Sequence, residues 1–103
     1  RHPIEDVYQA GGIGLFLKER RVTVNQDPIQ LSYKEFELLK VLMEHPGEVF
    51  TRQWLYERIW NGTYSEKNRT VDIHVQTLRK KLGTCGSLIE SVKYIGYRMK
   101  KVP

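Results

Sequence analysis

The sequence predicts an α+β fold, and three observations carry that expectation. Short runs with strand-like alternation precede residue 32, three amphipathic helical segments occupy the middle, and two extended runs around a tight turn close the chain. The second and third helices are joined by a short connector, the third is basic, and a β-hairpin follows. That order amounts to a helix-turn-helix with a wing. An N-terminal antiparallel sheet, a three-helix core and a C-terminal hairpin wing are therefore expected over residues 12–103.

Residues 1–11 hold a Pro, mixed charges and a Gly pair without periodicity, which reads as a linker or frayed terminus. Ile13–Leu17 is apolar, Lys18-Glu19-Arg20 is a polar turn, and Arg21–Val24 alternates. Asn25-Gln26-Asp27-Pro28 reads as a second turn before Ile29-Gln30-Leu31, so three short strands are expected. Ser32-Tyr33-Lys34-Glu35 has the S-x-x-E spacing of a capping box, in which Ser and Glu satisfy each other's orphan backbone donors. The helix it opens runs to about Glu44 with Phe36, Leu38, Leu39, Leu42 and Met43 on a broad apolar arc. Pro46 ends it by disfavouring helical geometry in the residue before. Glu48-Val49-Phe50 is a short extended piece, and Thr51 caps a second helix from Arg52 to Trp60, with Leu55 and Ile59 on one side. Asn61–Glu66 is a loop by composition. After Gly83 comes a second loop, Thr84-Cys85-Gly86-Ser87, then strands Leu88–Val92 and Tyr97–Met99 around the turn Lys93-Tyr94-Ile95-Gly96.

The third helix, within Lys67–Gly83, carries the chemistry. Val71, Val75, Leu78 and Leu82 fall on one narrow stripe at about 100° per residue. Asn68 is the expected N-cap and Gly83 the expected C′ residue, where a positive φ carries no Cβ penalty. Opposite the stripe lie Arg69, Ile73, Gln76, Thr77 and Lys80, flanked by Thr70, His74 and Lys81 on one side and by Asp72 and Arg79 on the other. A merely solvated face does not need Ile73. A helix in the DNA major groove uses cations for phosphates, amides and hydroxyls for base edges, and an apolar group for a thymine methyl.

Charge supports that face. The total is +5, but residues 67–101 hold nine Lys or Arg against two acids, whereas residues 1–66 hold eight against ten. A one-sided basic surface is the footprint of a nucleic-acid binder, because neutralised phosphates release their counterions. An acidic membrane would also attract it, but no exposed apolar helix face accompanies the charge. With 103 residues one domain is expected, with a core that needs neither disulfide nor metal. The lack of an initial Met suits a piece of a longer chain or a processed product, and no stretch is apolar enough to span a membrane. The single Cys85 excludes an internal disulfide and fits a cytoplasmic setting.

Catalysis finds little support. Gly11-Gly12-Ile13-Gly14 lacks the helix and the Lys-Ser/Thr tail of a phosphate loop. Ser32 and Thr51 stand where caps stand, and His2, His45, His74 and Cys85 show no metal-ligand spacing. No enzyme activity and no cofactor are expected. The competing reading of the basic face is a protein-interaction module that meets an acidic partner.

The ordered motifs resemble the C-terminal DNA-binding domain of OmpR/PhoB-type response regulators, the winged-helix output half of bacterial two-component systems. The resemblance covers about residues 13–100. It rests on Leu31-Ser32-Tyr33-Lys34-Glu35-Phe36-Glu37-Leu38-Leu39, on His45-Pro46-Gly47-Glu48-Val49-Phe50-Thr51-Arg52 and on Leu55 through Ile59-Trp60. It continues with Arg69-Thr70-Val71-Asp72-Ile73-His74-Val75, Leu78-Arg79-Lys80-Lys81-Leu82 and Gly96-Tyr97-Arg98. It implies a four-stranded N-terminal sheet, a recognition helix from about Asn68, and head-to-tail binding to direct-repeat DNA. Asn61, Gly62, Thr63, Tyr64, Ser65, Glu66 and Lys67 would form the loop that touches RNA polymerase. A receiver domain, absent from these residues, would carry the phosphorylation by a cognate sensor kinase and support self-association.

Carried over by position, Trp60, Arg69, Thr70, Ile73, His74, Arg79, Tyr97 and Arg98 fall where such proteins contact the phosphate backbone. Asp72 falls where a base edge is accepted, or else it orders a neighbouring cation. Gln76 and Thr77 replace arginines common in the family, which implies A·T-biased readout: Gln bonds adenine bidentately and a Thr methyl suits thymine. Lys93 stands at the wing Arg that enters the minor groove, without the guanidinium fork. Tyr94 replaces a Gly of the wing and either fills the surface of a looser turn or lays its ring against the sugar–phosphate backbone.

Overall fold

A computed structural model describes residues 6–102. β1 (Val7–Ala10), β2 (Ile13–Phe16), β3 (Arg21–Val24) and β4 (Asp27–Ile29) form an antiparallel meander in chain order. Register puts Tyr8 opposite Leu15, Leu15 opposite Val22 and Val22 opposite Ile29. Side chains alternate across a strand, so these residues share one face with Ala10 and Ile13 and cover the core. On the other face the Arg21 guanidinium lies 4.0 Å from the Phe16 ring.

Two expectations are corrected here. Residues 7–10 are a strand rather than linker, and the part of that expectation on residues 1–5 lies outside the described residues. The second turn is shorter than expected: Asn25 and Gln26, with φ of 51° and 73°, make the two-residue turn, and Asp27-Pro28 already belongs to β4. An edge strand tolerates Pro28 because the missing N–H removes no interior ladder bond.

α1 (Tyr33–Glu44) starts at the expected capping box, in which Ser32 Oγ accepts from the Glu35 backbone and Glu35 Oε1 accepts from the Ser32 backbone. β5 (Phe50–Thr51) leads into α2 (Arg52–Trp60), where Thr51 Oγ1 accepts from the Trp54 backbone. α3 (Thr70–Leu82) begins one residue later than expected. Arg69 occupies the N-cap position, while Asn68 Oδ1 accepts from the Thr70 backbone at 2.9 Å. Gly83 ends α3 with φ 60° and ψ −122°, a combination that lies outside the left-handed helical region and favours Gly. Residues expected as loop after it form a 3₁₀ turn, Gly83–Leu88.

β6 (Ile89–Val92) and β7 (Gly96–Met99) make the C-terminal hairpin, and β5 pairs with β7 to give a second sheet ordered β5-β7-β6. Gly96 allows that pairing: a Cβ there would sit 1.9 Å from the Phe50 carbonyl oxygen. Leu38, Leu39 and Leu42 of α1, Leu55 of α2, and Val75, Leu78 and Leu82 of α3 reach zero exposure around one core shared with Ile13, Leu15 and Met99. Glu35, 5% exposed, ties α1 to α3 through Lys81 Nζ at 2.8 Å. Burial pushes the Glu35 carboxyl up, but hydrogen bonds from Lys81 and Ser32 and the Lys81 charge outweigh it and hold it below its ordinary value.

Candidate nucleic-acid interface

The orientation of α3 is set by its stripe. Val71 is 1% exposed, and Val75, Leu78 and Leu82 are at zero. Each contributes roughly 1.5–3 kcal/mol when buried, so turning the helix over would forfeit on the order of 10 kcal/mol. That is comparable with the whole stability of a domain, about 5–15 kcal/mol, so the opposite face must point outward. On it Arg69, Ile73, Gln76 and Lys80 are exposed, and Thr77 is half-buried with its Oγ1 donating to the Ile73 carbonyl at 3.2 Å. Ile73 is 57% exposed, a large apolar side chain set among polar ones on this face.

The flanks are more occupied. Thr70 and His74 are half-buried; His74 Nδ1 donates to the Thr70 carbonyl at 2.9 Å, and its ring meets Trp60 edge-on at 4.9 Å. Trp60 stacks on Tyr56, with Lys34 Nζ 5.5 Å from its ring and also donating to the Ile59 carbonyl at the end of α2. Of the loop, Asn61, Thr63, Ser65, Glu66 and Lys67 are exposed, Gly62 and Tyr64 partly so. Asn61 takes the left-handed conformation that ends α2, and Tyr64 leans on Tyr56 at 6.0 Å.

Asp72 is the junction between helix and wing. Its Oδ1 accepts from Arg52 Nε at 2.7 Å and from the Tyr97 hydroxyl, while Oδ2 lies 3.6 Å from Arg69. Burial pushes its carboxyl up, but the hydrogen bonds from Tyr97 and Arg52 and the charges of Arg52 and Arg69 hold it below the usual carboxylate value. Burial, then the hydrogen bond to Asp72, pushes the Tyr97 phenol up. Of the two roles left open for Asp72, this geometry matches the ordering of neighbouring cations. Tyr97, expected at a phosphate, is 5% exposed with its hydroxyl committed to Asp72, its strand being the central one of the second sheet.

Arg79 is also turned inward. Its Nε and Nη2 donate to the Ile89 carbonyl at 3.1 and 2.6 Å, and Nη2 donates to Ser91 Oγ at 3.0 Å. Its guanidinium lies 5.6 Å from one side of the Tyr97 ring, while Arg52 lies 5.0 Å away from the same ring. Arg98 pairs with Glu90 at 2.9 Å, with 42% of its side chain exposed. Lys93 and Tyr94 stand exposed at the wing tip.

Sequence reasoning missed Arg52 and Lys34. The pair Thr51-Arg52 was visible as a motif, but Arg52 meets Asp72 across 20 residues of chain and Lys34 reaches Ile59 across 25, which no local spacing encodes.

These features define a winged helix-turn-helix of the DNA-binding type, with its third helix presented outward and braced against the wing. The chain belongs to the family described as "Transcriptional regulatory protein, C terminal", which matches residues 26–99, and it is an OmpR/PhoB-type regulatory domain. It is 33% identical over 97 residues to the phosphate regulon transcriptional regulatory protein PhoB of Escherichia coli K12, covering 92% of this chain and 42% of PhoB. It is 40% identical over 78 residues to the sensory transduction protein RegX3 of Mycolicibacterium smegmatis, covering 76% of this chain and 34% of RegX3. The chain thus spans less than half the length of these curated relatives. The DNA-binding domain of Klebsiella pneumoniae RstA in complex with RstA box superposes with a TM-score of 0.83 at 27% identity, covering 91% of this chain and 96% of that one. DrrB of Thermotoga maritima, an OmpR/PhoB homologue, gives a TM-score of 0.83 at 28% identity, covering 93% and 45%. Among the described residues no helix is long and apolar enough to cross a membrane.

Proposed function

We propose that this domain binds double-stranded DNA sequence-specifically, with the outward face of α3 in the major groove and the wing in the adjacent minor groove. The carrying observation is that burial of Val71, Val75, Leu78 and Leu82 leaves Arg69, Ile73, Gln76 and Lys80 exposed together. In this reading Arg69 and Lys80 meet phosphates, with Trp60, Thr70 and His74 beside them. Gln76 and Thr77 read base edges and Ile73 rests on a thymine methyl. Lys93 and Arg98 supply the wing's charge. Asp72, Tyr97 and Arg79 act as positioning residues that hold α3 at a set angle to the hairpin.

The domain would serve as the output half of a longer response regulator, binding direct repeats head to tail. The loop Asn61–Lys67 would face RNA polymerase, and a receiver domain elsewhere in the protein would answer to a sensor kinase. The alternative, a module that meets an acidic protein, is not favoured by the family.

The test is the salt dependence of duplex binding. Log K is expected to fall steeply with log salt, and Arg69→Ala to lower the slope by about one unit. Absence of binding to any duplex at low salt would overturn the reading in favour of the interaction module.

A further inference from the structure

The wing tip carries a feature that stability does not explain. Tyr94 is 90% exposed, and beside it Ile95 is 50% exposed. Tyr94 also has φ 67°, a left-handed conformation that a bulky side chain rarely adopts, in a turn closed by the Ile95 backbone donating to the Val92 carbonyl at 2.9 Å. A Gly would hold this turn without strain, so the ring is carried at a cost and without burial in return. Lys93 Nζ lies 5.2 Å from the ring centre.

The placement of the tip is as informative. Tyr97 meets Asp72 in the first turn of α3, the ladder closes one residue on at Val92 opposite Gly96, and the turn lies beyond. Tyr94 and Ile95 there face Tyr64, Glu66 and Arg52 across a cleft of about 420 Å³. The tip therefore flanks the end of α3 that carries Arg69.

We infer that Tyr94, with Ile95 behind it, is an apolar wedge that enters the DNA minor groove beside the recognition helix and unstacks a base step, while Lys93 holds the adjacent backbone. The inference rests on the DNA-binding reading. A cation, an aromatic ring and a branched aliphatic side chain in succession match what minor-groove wedges present: apolar bulk between bases and positive charge on the strands. The occupant follows from charge. The segment 67–101 is strongly basic, and one of its cations, Lys93, stands at the tip with no acid next to it in sequence.

The test uses the chain bound to a duplex recovered by in vitro selection, carrying 2-aminopurine at successive steps beside the α3 footprint, with end-labelled copies of the duplex to read bending. The wild type is expected to raise fluorescence at one step and shorten the end-to-end distance. Tyr94→Gly is expected to lose both, keep or raise the melting temperature, and weaken binding about tenfold, the scale of one lost base–aromatic contact, without changing the salt slope. Tyr94→Phe is expected to behave as wild type. Tight binding by the wild type with no unstacking at any step would overturn the inference and leave the DNA reading intact. Loss of tandem binding in Tyr94→Gly with single-site unstacking unchanged would assign the tip to a neighbouring protein instead and also overturn it. Failure to recover any duplex would strike the underlying reading.

Discussion

At Asp72 one carboxylate meets a phenol and two guanidiniums supplied by a strand, a helix and the residue before its own helix. Its folded-state carboxyl titrates below its ordinary value, so between the two values the unfolded chain holds a proton that the native chain does not. Stability from this group is therefore complete above about pH 4 and is lost as pH falls through the folded value. Glu35 acts with the same sign. Thermal unfolding followed from about pH 6 to about pH 2 should show a steep acid decline. Asp72→Asn should start lower, decline less, and converge with the wild type in acid. Parallel curves for the two proteins would show that Asp72 does not contribute in this way. This group was only half legible in the sequence. Its place on the flank of α3 followed from periodicity, but Tyr97 is 25 residues away, and only the paired hairpin brings the phenol to it.

Among the elements, the helices were the readable ones. Ser32 with Glu35, Thr51, and the four-residue stripe of α3 are local signals, and each marks its helix to within a residue or so. β1 was not readable. Val7-Tyr8-Gln9-Ala10 has little alternation of its own and becomes a strand by pairing with β2, Ala10 opposite Ile13. The angle between α3 and the wing is likewise a tertiary property, held by Asp72 with Tyr97 at one end and by Arg79 with Ile89 and Ser91 at the other. Removing the second brace by Arg79→Ala should cost roughly 1.5–3 kcal/mol, the range for hydrogen bonds from a charged donor. The expected result is a lower melting temperature together with weaker binding to all duplexes and an unchanged preferred motif. An unchanged melting temperature with a salt slope lowered by about one unit would instead make Arg79 a phosphate contact.

For the whole molecule, the apolar stripe faces inward while Arg69, Lys80 and Lys93 stand outward on the same third of the chain. Residues 1–66 are slightly acidic and supply most of the core, whereas residues 67–101 bring the positive excess to the exposed face of α3 and the hairpin. On the proposed reading, the fold is a scaffold that fixes one helix and one hairpin and leaves the reading of base sequence to a few side chains. The most direct measurement compares duplexes recovered by in vitro selection on the parent and on Gln76→Ala and Thr77→Ala. Altered preference by roughly 1–3 kcal/mol at one or two base pairs, with the rest of the motif kept, is the predicted result. Identical motifs from all three proteins would contradict the assignment of this face to the major groove.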